Sequence, residues 1–522
     1  MAARKSEGKS LDNMNFSLSN RLGQFKINVT ANVIAYIISL LVGLWFAPYI
    51  ISNVGIEAYG LYPLATSLTN YLNLITLGLN GAVGRFLAID LNRNSFEDAN
   101  ITFNTALIGS LLIAIGGIPL IIGFAFAVPF LFSIPLGQET ATQLLFFFVM
   151  VSFFITTISS NFALSTWIKS RFDLRSVVNI ISIIIRSLVV ILIFEIGKPN
   201  IWIVGLGVFI ASIFSLIGNV FLWKKLTPEL TIAKYYFDKT RINKLFSMGS
   251  WMVVNEIGAL LFQNTSLIIA NISLGAKIGG EYGTIILFSS LLRGFTSAVS
   301  SVFTPMILEK YADNNINSIQ SLSNQAVRLI GIIIAIPVGL ICGFGKPILE
   351  LWLGNNFAHL WLLLVLTLLP LPINLSVTPL FSIQTVLNKV KIPGIVSLIL
   401  GVVNIGLAIL FINTMDWGAY GIAIAGAIVL TIKNFVFTPV YSASIQRLPW
   451  YTFIKAAIPG AIASFAFAII STGLSLVLHI SSWIGLIVIG GSICLVYIVI
   501  IYFFVLTEEE KLLVRSFIPK FI

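Results

Sequence analysis

The chain has 522 residues, of which 57% are hydrophobic and 10% are charged, whereas about a quarter of a soluble globular protein is charged. This composition and a mean hydropathy of +0.99 exclude a soluble protein and predict an all-α polytopic membrane protein. Two cysteines and two histidines are too few for a disulfide framework or a zinc cluster, and the net charge of +11 alone does not imply nucleic acid.

Apolar segments follow one another along the whole chain. A spanning helix needs roughly 20 apolar residues, and we count about fourteen such segments, with twelve or thirteen as alternatives. Their predicted bounds are 27–51, 59–89, 101–132, 141–168, 176–196, 200–223, 245–274, 283–307, 327–350, 358–387, 392–413, 418–443, 452–479 and 482–506. The first segment has no signal-peptide cleavage site, so we interpret it as a spanning helix.

The spans divide into two groups of six with a basic connection between them. We predict an N-terminal segment (1–26), an N-lobe (27–223), a linker (224–244), a C-lobe (245–443), two further spans (452–506) and a tail (507–522). An internal repeat supports two pseudo-repeated lobes, since Gly55 and Tyr59 follow span 1 as Gly275 and Tyr282 follow span 7. Parallel repeats of this kind place a substrate site in a central cavity between the lobes.

The basic residues are distributed unevenly between alternate loops. Most of the 31 Lys and Arg residues lie on the side of the two termini. The positive-inside rule therefore places both termini in the cytoplasm, with the chain as a multi-pass protein of the cell membrane.

Polar side chains recur at helical spacing on the first two spans of each half. Span 2 carries Tyr62, Thr66, Thr69, Asn73, Thr76 and Asn80, and span 8 carries Ser289, Arg293, Thr296 and Ser300. Such a stripe faces either a neighbouring helix or a water-filled cavity. Packing is favoured for span 1 with Asn32, while the amides and the arginine of spans 2 and 8 favour a cavity.

Three ionisable residues, Glu256, Arg293 and Arg186, lie near the middle of their spans. A charge at that depth is retained when it has a partner, a water-filled cavity or a functional role. Glu256 and Arg293 form either a buried ion pair or a site for a substrate or ion. Residues 180–185 beside Arg186 show no polar stripe, so a contact within the lobe is as well supported as substrate binding. Lys433 is expected to extend toward a membrane surface.

Several motifs resemble those of a known family. PYII at 48–51, Gly55 and YGLY at 59–62 resemble the opening of Wzx-type polysaccharide flippases, as do LGL at 77–79 and RF at 85–86. The segment 246–283 is similar to the matching part of the second half, and the resemblance covers about the first 450 residues. These flippases belong to the multidrug/oligosaccharidyl-lipid/polysaccharide exporter (MOP) superfamily, with the lipid II flippases and the MATE drug exporters.

The resemblance implies both an architecture and a cargo. Spans 1, 2, 7 and 8 would line the central cavity, and Arg293 would match the cationic cavity residues of the family. The implied cargo is a polyprenyl-diphosphate-linked oligosaccharide, which alternating access moves from the cytoplasmic to the outer leaflet for cell-surface polysaccharide assembly. Close kinship with the lipid II flippases is not expected, because span 1 carries no arginine after Lys26.

Eight polar side chains form the predicted substrate site. They are Arg293, Glu256, Asn73, Asn80, Asn32, Gln263, Tyr62 and Arg186. Arginine suits a diphosphate because its fork donates paired hydrogen bonds to phosphate oxygens, and amides suit sugar hydroxyls. The expected partners are the lipid-linked oligosaccharide, membrane lipid and polysaccharide-assembly machinery, without nucleic acid.

No cofactor is expected, because the chain has no GxxxxGK[ST] loop. Two energy sources stay open. An inside-negative potential favours outward movement of an anion by about 2.3 kcal/mol per charge per 100 mV. The alternative is a coupling proton or Na⁺ at Glu256.

Two other functions are weighed against the flippase. An ion-coupled multidrug exporter of the same superfamily would need membrane-embedded carboxylates for a cationic drug, and Glu256 is the one acid deep in a span. A membrane enzyme would need a large outer loop or a cluster of carboxylates and histidines. We therefore expect a transporter that is not an enzyme.

Overall fold

The computed structural model describes residues 2–240, 250–301, 303–312, 316–478 and 480–517. Side chains are described from residue 23 onward, except at 25–26, 77–82, 92, 250–252, 305, 309, 311–312, 316–317 and 513–517. Within these ranges the chain is helical and contains no β-strand. The all-α fold class is therefore confirmed.

The chain separates into two compact units, Met1–Val253 and Val254–Ile522. The first unit contains six long helices. They are α1 (Ala2–Val54), α2 (Ile56–Asn92), α3 (Phe96–Leu131), α4 (Glu139–Ile168), α5 (Phe172–Ile196) and α6 (Ile201–Leu226).

The second unit contains shorter and more interrupted helices. They are α7 (Ser250–Gln263), α8 (Thr265–Leu274), α9 (Ala276–Ser300), α10 (Phe303–Ala312), α11 (Ile316–Gly343), α12 (Gly345–Leu353), α13 (Trp361–Leu368), α14 (Leu371–Ser376), α15 (Thr378–Val386), α16 (Lys391–Met415), α17 (Gly418–Thr431), α18 (Thr438–Ile445), α19 (Thr452–Val477), α20 (Trp483–Ile500) and α21 (Glu508–Phe517). A π-helical turn, Ile432–Phe437, joins α17 to α18.

Most of the predicted spans correspond to helices long and apolar enough to cross a membrane. The described residues contain 12 such helices, or 13 if the bent pair α7 and α8 is counted as one span. The 37-residue helix α2 covers the predicted second span as well. The chain is therefore a multi-pass membrane protein.

Several predicted spans are broken rather than straight. α7 and α8 meet at Asn264 with a bend of 40°. The predicted span 358–387 consists of α13, α14 and α15, whose breaks coincide with Pro370 and Pro379. Proline breaks a helix because it lacks a backbone N–H and its ring clashes with the preceding turn. These breaks lie in the second unit.

The two glycines of the internal repeat have the same backbone conformation. Gly55 precedes α2 with φ 86°, and Gly275 precedes α9 with φ 92°. An L-residue with a side chain rarely adopts this conformation, whereas glycine adopts it at no steric cost. Tyr59 and Tyr282, one turn or two beyond these glycines, are both buried. The repeat therefore reflects a shared turn and a shared buried tyrosine.

α11 and α19 cross at close range because small residues line their contact. A Cβ atom added at Gly460 would lie 2.6 Å from the Cα of Gly331. Farther along, a Cβ at Gly343 would lie 2.2 Å from the Cβ of Ser471. Small residues let membrane helices approach until their backbones are in contact. The first of the two C-terminal spans is thereby packed into the second unit.

The C-terminal helix α21 is attached to α11 by polar contacts. Its first turn is capped reciprocally, since the Thr507 N–H donates to Glu510 Oε2 at 2.8 Å and the Glu510 N–H donates to Thr507 Oγ1 at 3.3 Å. Glu510 Oε1 lies 3.5 Å from Arg328 Nε, and its side chain is only 2% exposed. Arg328 also donates to the carbonyl of Val505. One buried carboxylate thus caps α21 and joins it to α11.

We expect Glu510→Gln to loosen α21. The amide keeps the shape of the side chain but loses the charge that faces Arg328, so the free energy of local opening should fall by about 1–3 kcal/mol. Hydrogen exchange of the α21 amides in nanodiscs measures this opening. Glu508→Gln is the matched control, because the Glu508 side chain is 85% exposed and its ion pair with Lys511 lies at the surface, where such pairs contribute about 0–1 kcal/mol. Equal exchange in the two variants would contradict the assigned role of Glu510.

Candidate functional site

A polar cleft of about 480 Å³ lies among α1, α4, α5 and α6 of the first unit. We call it the N-cleft. Its polar lining residues are Asn32, Tyr36, Ser39, Thr156, Ser159, Ser160, Arg175, Ser176, Asn179, Ser215 and Asn219. The remaining lining residues are Ala35, Ala163 and Val178, so the lining holds one cation and no acid. A cleft of this composition between membrane-spanning helices suits hydroxyl-rich or anionic ligands.

Hydrogen bonds between helices hold the lining of the N-cleft in place. Ser176 donates to Asn32 Oδ1 at 2.8 Å, which joins α5 to α1. Asn219 Nδ2 donates to Ser159 Oγ at 2.9 Å, which joins α6 to α4. The buried Oδ1 of Asn219 has no hydrogen-bond partner in the protein. Buried polar atoms are rarely unpaired, so this oxygen has a hydrogen-bonding capacity that the protein leaves unused.

Arg186 lies on α5 and contacts α1 and α2. Its Nη1 donates to the hydroxyl of Tyr62 at 3.2 Å, and its guanidinium carbon lies 5.3 Å from the centre of the Phe46 ring. A cation over an aromatic face is stabilised by the ring quadrupole. The Nε atom of Arg186 is buried without a partner. The expected contact of Arg186 within the lobe is therefore present, and it leaves the Nε donor of Arg186 without a hydrogen bond.

The polar stripe that contains Arg186 was missed by the sequence analysis. Arg175, Asn179, Ser182 and Arg186 have 4-3-4 spacing, so they share one face of α5. Our prediction that this helix has no stripe was wrong, because it considered only 180–185 and assigned Arg175 to a loop. The stripe extends from the N-cleft to the contact with Tyr62.

A second cavity, of about 70 Å³, lies inside the second unit. We call it the C-cavity. Its polar lining residues are Gln263, Ser266, Tyr282, Ser289, Ser290, Arg293, Thr367 and Asn374. It adjoins both breaks described above, since Gln263 ends α7 and Pro370 precedes α14. Arg293 is the one charged residue of its lining.

Glu256 and Arg293 do not form the ion pair that was one of the two alternatives. No salt bridge joins them, and within the described part of the chain Arg293 has no hydrogen-bond or ion-pair partner. Glu256 is partly buried and interacts electrostatically with Lys433.

Lys433 does not extend to a membrane surface, so that prediction was wrong. It is 9% exposed, and its Nζ lies 5.5 Å from the ring centres of both Phe262 and Phe381. It belongs to the π-helical turn 432–437, and such turns are frequent at functional sites. Lys433 therefore adds a buried cation near Arg293.

The structure describes seven of the eight predicted side chains, and they lie in different parts of the chain. Asn32 lines the N-cleft, and Tyr62 contacts Arg186. Gln263 and Arg293 share the C-cavity, while Glu256 lies beside Lys433. Asn73 is exposed on α2 and lines neither site, and Asn80 lies outside the described side chains.

Sequence reasoning missed Asn374 as well as Arg175, Asn179 and Lys433. Asn374 lies in α14 between two prolines, and no stripe indicates it. In the described ranges, no group of three or more His, Cys, Asp or Glu residues could hold a metal ion.

Comparison with known proteins gives a consistent set of similarities. The model of the family described as polysaccharide biosynthesis protein matches residues 25–311. The membrane protein EpsK of Bacillus subtilis (strain 168) is 32% identical over 492 residues, covering 94% of this chain and 97% of EpsK.

Two solved structures share the fold. The inward closed conformation of the lipid II flippase MurJ has a TM-score of 0.63 at 19% identity, covering 91% of this chain and 98% of MurJ. An inward-facing multidrug resistance MATE family transporter of the MOP superfamily has a TM-score of 0.56 at 16% identity, covering 85% and 96%.

We expect the N-cleft to be hydrated in the membrane. With Cys342 and Cys494 replaced by alanine, Asn179→Cys should react with a water-soluble maleimide in permeabilised vesicles, since thiolate chemistry needs water. Ile184→Cys is the control, because Ile184 is an exposed apolar residue on the same helix. Slow labelling of Asn179→Cys, at a rate no higher than that of Ile184→Cys, would contradict a hydrated cleft.

Proposed function

Because this chain belongs to the polysaccharide biosynthesis protein family of the MOP superfamily, we propose that it is a flippase for a lipid-linked oligosaccharide. The proposed cargo is a polyprenyl-diphosphate-linked glycan that alternating access moves from the cytoplasmic to the outer leaflet. The observation that carries this proposal is the N-cleft, a large polar space among apolar helices. Both termini are cytoplasmic in this proposal.

The chemistry of the N-cleft supports a glycan as the cargo. Its serine and threonine hydroxyls and its three asparagines offer both donors and acceptors to sugar hydroxyls. A volume of about 480 Å³ lies within the roughly 300–1,000 Å³ of small-molecule sites. A short part of the glycan would occupy it while the polyprenyl chain stays in lipid. Asn32, Asn179 and Asn219 are the proposed sugar contacts.

The cations on α5 support an anionic group in the cargo. Arg175 is exposed in the N-cleft, and Arg186 lies three turns farther along the same face. Both would donate to diphosphate oxygens, with Tyr62 and Phe46 holding the guanidinium of Arg186 in position. The absence of an acid from the lining of the N-cleft disfavours a cationic drug.

We propose the membrane potential as the energy source. Outward movement of a diphosphate with roughly two charges gains about 4–5 kcal/mol at 100 mV. Glu256 is the residue that would bind a coupling proton or Na⁺ in the alternative mechanism. Membrane lipid surrounds the carrier, and the polysaccharide-assembly machinery would receive the product.

We expect Arg186→Gln to slow translocation at least about tenfold, because it removes charge-assisted hydrogen bonds to the cargo. The assay uses proteoliposomes that contain a polyprenyl-diphosphate oligosaccharide and a glycosidase added outside. With active carrier, the glycosidase should cleave cargo from both leaflets. In empty liposomes it should cleave only the half of the cargo that lies in the outer leaflet.

The matched control is Arg85→Gln, since Arg85 is an exposed cation on α2. It should translocate cargo as the wild-type protein does. Wild-type proteoliposomes that behave like empty liposomes would refute the proposed function. Resistance of cells to cationic dyes, with unchanged surface glycan, would favour the drug exporter instead.

We expect translocation to respond to voltage without any Na⁺ or proton gradient. A valinomycin-generated potential, negative on the side of the cargo, should accelerate transfer because it drives the anionic headgroup away from that side. The rate is compared with and without valinomycin, and Glu256→Gln should keep this acceleration. A rate that follows only an ion gradient, and loses that response in Glu256→Gln, would establish coupling at Glu256.

A further inference from the structure

The C-cavity contains a positive charge that the described part of the chain does not neutralise. Arg293 is the charged residue of its lining, and Asp and Glu are absent from that lining. An arginine remains charged throughout the physiological pH range. A charge inside a membrane protein needs a partner or water. Arg293 therefore needs a counter-ion or water in this cavity.

Nearby charges increase the imbalance rather than remove it. Lys433 interacts electrostatically with both Arg293 and Glu256. One carboxylate can balance only one of these two cations, and Glu256 forms no ion pair with either. The group of three side chains therefore carries one excess positive charge.

A second, independent observation indicates a missing ligand in the C-cavity. Asn374 is 2% exposed, and neither its Oδ1 nor its Nδ2 has a hydrogen-bond partner in the protein. Asn374 lines the C-cavity together with Arg293. A buried amide with neither polar atom paired is rare, and an ion or water in the cavity would supply the missing hydrogen bonds. The amide N–H₂ and the guanidinium would both donate to an anion.

The size of the C-cavity limits the anion to a small one. The volume is about 70 Å³, and one water occupies roughly 30 Å³ in the liquid. A monatomic anion and one or two waters fill such a space. A diphosphate with its attached sugar would extend beyond this space, because sites that enclose ligands of that size have roughly 300–1,000 Å³.

We propose that the C-cavity binds a small inorganic anion of the size of chloride, held by Arg293 and Asn374. The anion balances the excess positive charge of the group formed by Arg293, Lys433 and Glu256. Arg293 is then a ligand of an ion rather than of the glycan cargo. This inference does not depend on the proposed function, since the site lies within one unit and its occupancy can be measured without cargo.

The test measures the thermal unfolding of the purified protein in nanodiscs by tryptophan fluorescence. Sodium chloride is exchanged for sodium gluconate at constant ionic strength. Chloride should raise the unfolding midpoint in a saturable way, because a ligand that binds only the native state stabilises it. Bromide should act like chloride, whereas the larger gluconate should have no effect. A wild-type unfolding midpoint that does not change with chloride concentration would mean that water alone fills the cavity. That result would overturn the proposal.

Two variants and a control show which residues the chloride response depends on. Arg293→Gln should weaken the apparent chloride affinity at least about tenfold. Asn374→Leu keeps the cation and the approximate side-chain volume, and it should weaken chloride binding as well. Arg186→Gln should respond as the wild-type protein does, because Arg186 lies in the first unit.

A wild-type chloride response in Asn374→Leu would overturn the proposed site, even if Arg293→Gln does not fold. The glycan translocation assay is a separate measurement. A protein that binds chloride at this site but does not move glycan would retain the anion site and lose the proposed function.

Discussion

A cation inside a membrane protein must be stabilised by its surroundings, and this constraint explains the construction of both units. Arg186 is stabilised by the Tyr62 hydroxyl and the Phe46 ring. Lys433 lies between two phenylalanine rings and interacts with Glu256. Arg293 has neither arrangement within the described residues, and it faces a cavity with an unpaired amide. The three cations thus have three different surroundings.

The polar residues of the spans have two tasks that depend on each other. Asn32 and Asn219 join neighbouring helices by hydrogen bonds, and the same residues line the N-cleft. Helix packing and the lining of a polar cleft, which a stripe alone presents as alternatives, therefore coexist in one set of side chains. An amide can bond to a neighbour with one atom and leave the other free, as Asn219 does. A hydroxyl that donates its one hydrogen to a carbonyl of its own helix has no donor left for a neighbouring helix or a ligand.

Hydropathy predicted the helical class and most spans because the length of an apolar run is a local property. The turns at Gly55 and Gly275 were also predictable, since a conformation with positive φ selects glycine. The bend at Asn264 was not, because no proline marks it and tertiary packing decides it. Bends and the π-helical turn change the direction of the side chains that follow. For this reason the positions of Lys433 and Asn374 could not be derived from spacing alone.

The glycine contacts between α11 and α19 limit the substitutions that these two helices tolerate. Gly331 and Gly460 bring the two backbones together with no side chain between them. Any larger side chain at either position would meet the backbone of the facing helix. The close crossing that packs the thirteenth span into the second unit therefore depends on two single residues lacking a side chain.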